Sequence, residues 1–212
     1  MPAEDSRDKK RVIPGEVIAA SRKMFLHFGV HRTTMADISR EVGMPRQTLY
    51  EYVSSRDELV EAVLVQRIHE IAEEIKLLSA ASIGEALVET SVGAIRMARN
   101  DRELMNLVAT APKDLVQKVV VGRCEDIHHI VGRLFDPILE RGVKAHQIRT
   151  DKSRDEIIDW LRIVFLALIT QSEIEPETEH SIIADFVLPS VMLASKKPGQ
   201  QTDKENLLAS QS

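Results

Sequence analysis

The sequence predicts an all-α protein with an amino-terminal three-helix domain followed by a larger helical carboxy-terminal domain. Apolar residues recur at three- and four-residue steps along most of the chain, and the alternation typical of strands is absent. Glycine and proline are sparse, with 9 and 8 in 212 residues, so few positions break a helix. Apolar residues make up 43% of the chain, which is enough for a packed core.

The first two helices are predicted from an apolar face and from capping residues. The apolar face of the first helix, over residues 15–28, consists of Val17, Ile18, Ser21, Met24, Phe25 and Phe28. The second helix covers residues 35–42. Thr34 and Asp37 have the spacing of a capping box at its start, and Gly43 ends it.

A short third helix and a longer fourth helix follow. The third helix begins near Pro45, because proline is well tolerated in a first helical turn, and it ends near Val53. Ser54 or Ser55 then caps the fourth helix. The apolar stripe of the fourth helix consists of Val60, Val63, Leu64, Ile68, Ile71, Ile75 and Leu78.

From about residue 82 the chain is predicted to form further amphipathic helices. Residues 82–100 form one helix and residues 102–110 a shorter one. Residues 112–142 form a long helix that is bent at Pro137, where the ring interrupts the backbone hydrogen bonds.

The two last helical segments, residues 154–173 and 176–194, are apolar on more than one side. A helix with two apolar faces needs a second partner besides its own core. We predict that this partner is the same pair of helices in a second subunit. The alternative is that each is a fully buried core helix.

Charge is distributed unevenly along the chain. The net charge is −5, yet residues 1–56 carry ten basic and seven acidic residues, a balance of +3, and the other 156 residues carry −8. A positive amino-terminal unit on an acidic body is typical of a protein that presents one end to nucleic acid. Ordinary surface charge with a chance asymmetry is the alternative.

Several features favour a soluble, cytoplasmic protein. The single cysteine, Cys124, cannot form an internal disulfide, which fits a reducing compartment. The amino terminus is charged and has no apolar run behind it, so no signal peptide is predicted. The longest apolar stretch, residues 160–169, is far shorter than the roughly 20 residues of a membrane span.

The stretch GMPRQTLYEY, residues 43–52, carries more polar chemistry than packing requires. Ile38 and Val42 lie on one face of the short helix before it, and Leu49 and Tyr52 lie on one face of the next. Apolar anchors in this order, with a glycine between the two helices, predict a helix-turn-helix. The polar side chains of the second helix must then face outward.

The outward side chains match the hydrogen-bonding groups of DNA. Arginine can donate twice to guanine, and glutamine can pair with adenine. Threonine and tyrosine hydroxyls can donate to phosphates, as can an arginine beside a helix start. The predicted DNA-binding residues are Thr34, Arg46, Gln47, Thr48, Tyr50, Tyr52 and Arg56.

The stretch TTMADISREVGMPRQTLYEYVSSRDEL, residues 33–59, resembles the DNA-binding region of the TetR family of transcriptional regulators. The resemblance runs over residues 11–71, with the helix-turn-helix motif at about 34–53. The family usually has Phe at the position of Val53 and Lys at that of Arg56. The second difference preserves the charge.

The resemblance implies a role for each predicted residue and for each part of the chain. Arg46, Gln47 and Thr48 resemble base-reading or groove-edge positions, whereas Tyr50, Tyr52 and Arg56 resemble positions that contact the DNA backbone. Residues 72–195 would form a helical domain that binds a small-molecule effector and dimerises through its last two long helices. Residues 196–212 are polar and are predicted to be a disordered tail.

The implied function is a homodimeric repressor that a small molecule releases from a palindromic operator in double-stranded DNA. The third quarter of the chain offers aliphatic residues together with the cations Arg96, Arg99, His128 and His129, which would suit an apolar or amphipathic effector.

The sequence favours a DNA-binding regulator over an enzyme, because no nucleophile, base and orienting group stand out and no phosphate-binding glycine loop is present. No metal site is predicted either: Cys124 and His128 share a helical face, but no further ligand motif accompanies them. Two alternatives stay open: an all-helical ligand-binding protein, and an interaction module that does not bind DNA.

Overall fold

The structure is a computed structural model that describes residues 12–75, 82–122, 124–171 and 174–193. These ranges are helical, which confirms the predicted fold class. The helices are α1 (Gly15–Phe28), α2 (Met35–Val42), α3 (Arg46–Tyr52), α4 (Arg56–Glu74), α5 (Ile83–Asn100), α6 (Arg102–Thr110), α7 (Lys113–Val120), α8 (Glu125–Lys144), α9 (Arg154–Thr170), α10 (Pro176–Ile182) and α11 (Leu188–Val191).

Side-chain caps fix the starts of the helices around the predicted motif. The Thr34 hydroxyl accepts the Asp37 backbone N–H at the start of α2, and the Asp37 carboxylate accepts the Thr34 N–H, so the predicted capping box is confirmed. The Ser55 hydroxyl accepts the Glu58 N–H at 3.2 Å and begins α4. Both caps occupy backbone N–H groups that have no partner within the helix.

One residue of the predicted face of α1 does not lie in the core. Phe28 is half exposed, whereas Val17, Ser21 and Phe25 are buried. Phe28 is the last residue of the helix, and the chain turns away at Gly29, whose φ of 79° ends the helix. No later helix covers the Phe28 ring within the described residues.

The predicted long helix over residues 112–142 is interrupted, but not at Pro137 as predicted. The chain leaves the helix at Val121 and Gly122, whose N–H groups both donate to Gln117 O, and α8 begins only at Glu125. In contrast, α8 continues through Pro137.

Pro137 is tolerated because of where it lies on α8. Its missing N–H leaves the Arg133 carbonyl without its usual partner, and both residues are exposed. The unpaired carbonyl can therefore be solvated, which removes most of the reason for the helix to break there.

Helix α4 joins the two halves of the molecule. It packs against α1 on one side and against α5, α6, α7 and α8 on the other. One core cluster connects α1 to α4 with α6, α7 and the first turns of α8. A second cluster connects α5 with the later turns of α8, with α9 and with the last helical segment, Pro176 to Val191.

A group of five charged side chains, called here the ion-pair cluster, ties α1, α4 and α6 together. The cluster consists of Arg22, Arg67, Glu70, Asp101 and Glu103. Glu70 accepts from Arg22 at 2.7 Å and from Arg67 at 2.6 Å. Arg22 also pairs with Glu103, and Arg67 with Asp101. Hydrogen bonds from Arg67 lower the pKa of Asp101 against the opposing effect of burial.

The last helical segment contains one widened turn. Between α10 and α11, residues Ile183–Val187 form a π-helical turn in which the Leu188 N–H donates to Ile183 O, five residues back. Pro189 follows directly and has no N–H to donate to Asp185 O. The wide turn accommodates the proline without ending the segment.

Two predictions lie outside the described residues: the extension of the α4 stripe to Leu78 and the tail over residues 196–212. Among the described helices, none combines the length and the apolar character that crossing a bilayer requires.

Candidate nucleic-acid interface

The turn between α2 and α3 is held by one glycine and one serine. Gly43 has φ 73° and ψ 23°, a left-handed conformation that favours glycine. The Ser39 hydroxyl donates to Met44 O at 2.6 Å, and the Met44 N–H donates to Ser39 O at 3.1 Å. These two hydrogen bonds of Ser39 fix the course of the chain that leaves Gly43.

The apolar anchors of the predicted motif all face the core. Ile38 and Leu49 are fully buried, and Val53 is 1% exposed. Val42 and Tyr52 pack against the same cluster while staying partly accessible. Burial of these side chains fixes the rotation of α3 about its axis. The opposite side of this seven-residue helix therefore faces solvent.

The solvent side of α3 carries the polar side chains. Arg46, Gln47 and Tyr50 are exposed, and Thr48 is partly exposed. Arg46 Nη2 donates to the Tyr50 hydroxyl at 3.3 Å, and the guanidinium carbon lies 5.5 Å from the centre of the Tyr50 ring. This cation–π contact limits the rotamers of Arg46 while most of its five N–H donors remain available.

The two other predicted residues lie at helix starts. The Thr34 hydroxyl donates its only proton to Asp37 Oδ2 at 2.6 Å, and this bonding lowers the pKa of Asp37. Thr34 can therefore donate to a phosphate only if it leaves its carboxylate partner. Arg56 begins α4, and its contacts with the described residues are long, 3.4 Å to Val30 O and 3.9 Å to Asp57 Oδ1, so its guanidinium can reorient at little cost.

A second candidate site is an apolar cavity of about 100 Å³ in the helical body. Side chains of six helices, α4 to α9, line it. Because α4 contributes part of the wall, the cavity directly adjoins the helix that carries Arg56 at its other end.

One charged side chain, Arg162 on α9, borders this cavity. It is only 2% exposed. Its guanidinium donates to Val120 O at 2.8 Å, to Gly122 O at 2.6 Å and to Asp159 Oδ1 at 2.8 Å. Arg162 thus closes the break between α7 and α8 by satisfying carbonyls that the end of α7 leaves free.

The cations predicted to serve an effector site do not line the cavity. Arg96 and Arg99 instead pair with Glu179, which is fully buried, and so tie α10 to α5. His128 lies between two aspartates of α9, and His129 is exposed and contacts a carbonyl of its own helix. Spacing along a helix does not show which face another helix covers, so the sequence could not place these four cations, and their role toward an effector stays a prediction.

The sequence signals the burial of Arg162 but not that of Glu179. Arg162 interrupts the most apolar stretch of the chain, residues 160–169, and a lone charge in such a run signals a buried, bonded group. Glu179 lies within the polar run PETEHS and gives no comparable signal.

Cys124 has no metal-site environment within the described residues. Its Sγ lies 3.9 Å from Glu61 Oε1, and burial raises the pKa of the thiol. No group of three or more His, Cys, Asp or Glu side chains in the described ranges could hold a metal ion.

The last helices leave large apolar side chains uncovered. Trp160 and Ile163 on α9 are 41% and 46% exposed, and Phe186 is 72% exposed. Trp160 Nε1 donates to Ser190 Oγ at 2.9 Å, which ties α9 to α11. The alternative that both segments are fully buried core helices is therefore wrong for this chain.

Comparisons of the sequence with known proteins find a family model and curated relatives that each match part of the chain. The family model of bacterial regulatory proteins, tetR family, matches residues 17–63. The HTH-type transcriptional regulators Rv1816 of Mycobacterium tuberculosis and Mb1846 of Mycobacterium bovis are each 32% identical over 69 residues. That match covers 32% of this chain and 30% of each relative, so it spans less than a third of their length.

Solved structures share the fold over most of the chain. The repressor QsdR of the TetR family from R. erythropolis superposes with a TM-score of 0.61 at 22% identity, covering 90% of this chain and 99% of that one. The TetR family repressor AlkX from Dietzia sp. has a TM-score of 0.59 at 19% identity, covering 82% and 92%. At this identity the likeness establishes the common all-α fold.

Proposed function

We propose that the chain is a sequence-specific DNA-binding transcriptional regulator of the TetR family, not an enzyme, and that it acts in the cytoplasm as a repressor. The match of the tetR family model to residues 17–63 supports this proposal. The observation that carries the proposal is the solvent side of α3, where a buried anchor row forces arginine, glutamine and tyrosine outward on a fixed turn. We further propose that residues 11–71 form the DNA-binding domain and residues 72–195 the effector and dimerisation domain.

Helix α3 would enter the major groove with its exposed side toward the bases. Arg46 can donate twice to guanine O6 and N7, and Gln47 can pair with adenine. Thr48, Tyr52 and the first-turn residue Arg56 would contact the sugar–phosphate backbone or a groove edge. The Tyr50 hydroxyl, held by Arg46, would orient the arginine and donate its own proton to a phosphate.

The DNA-bound species would be a homodimer. Two copies of α3 must lie about 34–36 Å apart to reach successive major grooves, which a symmetric pair of subunits provides. The exposed apolar side chains Trp160, Ile163 and Phe186 support dimerisation through the last helices, because a second subunit would remove them from water.

The apolar cavity would be the effector site. Helix α4 forms part of its wall and also packs against α1, so a ligand that favours one position of α4 also favours one position of the DNA-binding domain. The ion-pair cluster would transmit this movement, since it connects α4 to both α1 and α6. The shift in DNA affinity cannot exceed the difference in the ligand's affinity for the two states.

The test is to select bound fragments from random duplexes and then compare two variants on the selected sequence. Arg46→Ala should lose discrimination at one base pair per half-site, by roughly 10- to 100-fold, since one bidentate pair contributes about 1–3 kcal/mol. Tyr50→Phe should weaken binding to all duplexes more evenly, because it removes a phosphate contact.

Arg102→Ala is the matched control, because Arg102 is an exposed arginine on α6, away from α3. It should leave both affinity and discrimination unchanged. If the full-length protein selects no sequence even in dilute buffer, where phosphate contacts are strongest, the DNA-binding proposal is wrong.

A further inference from the structure

We propose that the effector is a small, uncharged, apolar molecule about the size of benzene, bound by hydrocarbon contacts and not through a carboxylate or another charge. The inference rests on the proposed function in one respect: it takes the apolar cavity as the effector site. The sequence suited either an apolar or an amphipathic effector, and the cavity favours the apolar one.

The wall of the cavity offers a ligand almost nothing but hydrocarbon. Ile71 of α4, Ala98 of α5, Leu104 of α6 and Phe165 of α9 are typical of the lining. Arg162 is the one lining residue in the described ranges with a polar side chain. A ligand hydroxyl, amide or carboxylate would lose its water and find no free partner, which opposes the binding of polar molecules.

Arg162 is not a free receptor for an anion. Its guanidinium already donates to the backbone oxygens of Val120 and Gly122 and to the Asp159 carboxylate. A carboxylate ligand would have to displace one of these acceptors and leave a buried carbonyl unpaired, or compete with the carboxylate of Asp159. The aliphatic stem of Arg162 is therefore the part that a ligand meets.

The volume sets the size of the ligand. A cavity of about 150 Å³ lined by Leu, Ile and Phe stays dry and takes up benzene or xenon. The cavity in this protein measures about 100 Å³, so it suits a molecule of that size or slightly smaller without a large rearrangement. A small ligand without polar contacts binds weakly, because it has few atoms to place against the wall.

Benzene is the probe for the experiment, with benzoate as the charged counterpart of the same ring size. Isoleucine methyl resonances of the full chain, recorded without DNA, report binding at the cavity. Benzene should give saturable shifts, whereas benzoate should bind at least roughly tenfold more weakly or not at all. Tighter binding of benzoate would overturn the proposal, and so would the absence of saturable shifts with benzene.

Substitutions of two alanines by leucine test where benzene binds. Ala98→Leu fills the cavity from α5 and should weaken benzene binding at least tenfold, whereas Ala109→Leu adds the same atoms at an exposed position of α6 and should leave binding unchanged. If Ala98→Leu loses its helical melting transition, Ala94→Val is the smaller filling change on the same wall. Equal benzene binding by a folded filled variant and the control would overturn the assignment of the cavity.

These measurements fail independently of the proposed function. Because benzene binding is recorded without DNA, a negative result removes this ligand class and leaves the duplex-selection experiment as it stands. Conversely, a protein that takes up benzene at this cavity and selects no duplex would retain the ligand class and lose its role as a regulator.

Discussion

Helices α3 and α9 each have a side that this chain leaves uncovered, and the chemistry of the two sides is opposite. The uncovered side of α3 carries an arginine, a glutamine and a tyrosine that contact one another or solvent. The uncovered side of α9 carries Trp160 and Ile163. Both helices bury their other side in the core, so the difference lies in what each surface can bind.

The difference indicates two kinds of partner. A polar, partly cationic surface keeps its water until it meets an equally hydrated polyanion such as DNA. An apolar surface gains by leaving water, and its natural partner is another apolar surface. Under the proposed function, α3 would make a salt-dependent contact with DNA, whereas α9 would form a lasting contact with a second subunit.

The largest effect is expected from a charge placed on the apolar surface. Phe186→Glu should weaken the dimer by roughly 100-fold or more, because burial of one phenylalanine contributes about 2–3 kcal/mol and an unpaired carboxylate adds a desolvation cost. Sedimentation or light scattering across a dilution series measures the change. Affinity for a two-half-site duplex should fall with it.

The same substitution at Phe28 is the matched control. Phe28 is a half-exposed phenylalanine of α1, outside the proposed dimer surface, so Phe28→Glu should leave the dimer intact. If the dimer survives Phe186→Glu and dissociates with Phe28→Glu, the assignment of the dimer surface to the last helices is wrong. The apolar surface that binds the second subunit would then lie on the proposed DNA-binding domain.

The amino-terminal region was predictable because its signals are local. Thr34, Asp37 and Gly43 specify the start and the end of α2 within ten residues, and the apolar anchors of α3 follow at fixed steps. Capping and turn chemistry act between near neighbours, so a single sequence contains the information. The exposed residues then follow from which side is buried.

The carboxy-terminal region depends on contacts between distant residues, and there the sequence was less informative. The helix break at Val121 and Gly122 is held by Arg162, about 40 residues later, and the cavity wall comes from six helices. Glu179 is buried only because Arg96 and Arg99 of α5 meet it. No local pattern encodes such pairings.

A smaller effect is expected at the ion-pair cluster, which lies between the two regions being compared. Arg67→Met should lower the free energy of unfolding by about 2 kcal/mol, because Asp101 loses its arginine while staying mostly buried. Arg133→Met, at an exposed arginine of α8, should change it by less than about 0.5 kcal/mol. Denaturant unfolding measures both.

Acid should reveal the same cluster. Arg67 lowers the pKa of Asp101 below its ordinary value of 3.8, and Arg22 and Arg67 lower that of Glu70 below 4.5 against the opposing effect of burial. A lowered carboxyl pKa stabilises the folded state above the ordinary value and loses that contribution as pH falls through the folded value. Wild-type stability should therefore decline below about pH 4.5, and Arg67→Met should decline less steeply.

The smallest effect tests the role of Thr34, the predicted DNA-binding residue at the start of α2. Thr34→Ala removes the cap of α2 and should lower the free energy of unfolding by about 1 kcal/mol, whereas Thr34→Ser keeps the hydroxyl and should stay near the wild type. The hydroxyl proton is already given to Asp37, and a loss of about 1 kcal/mol leaves the protein almost fully folded, so both variants should bind a duplex with wild-type affinity. A Thr34→Ala protein of unchanged stability but weaker duplex binding would instead make Thr34 a phosphate ligand and free the cap from any role in recognition.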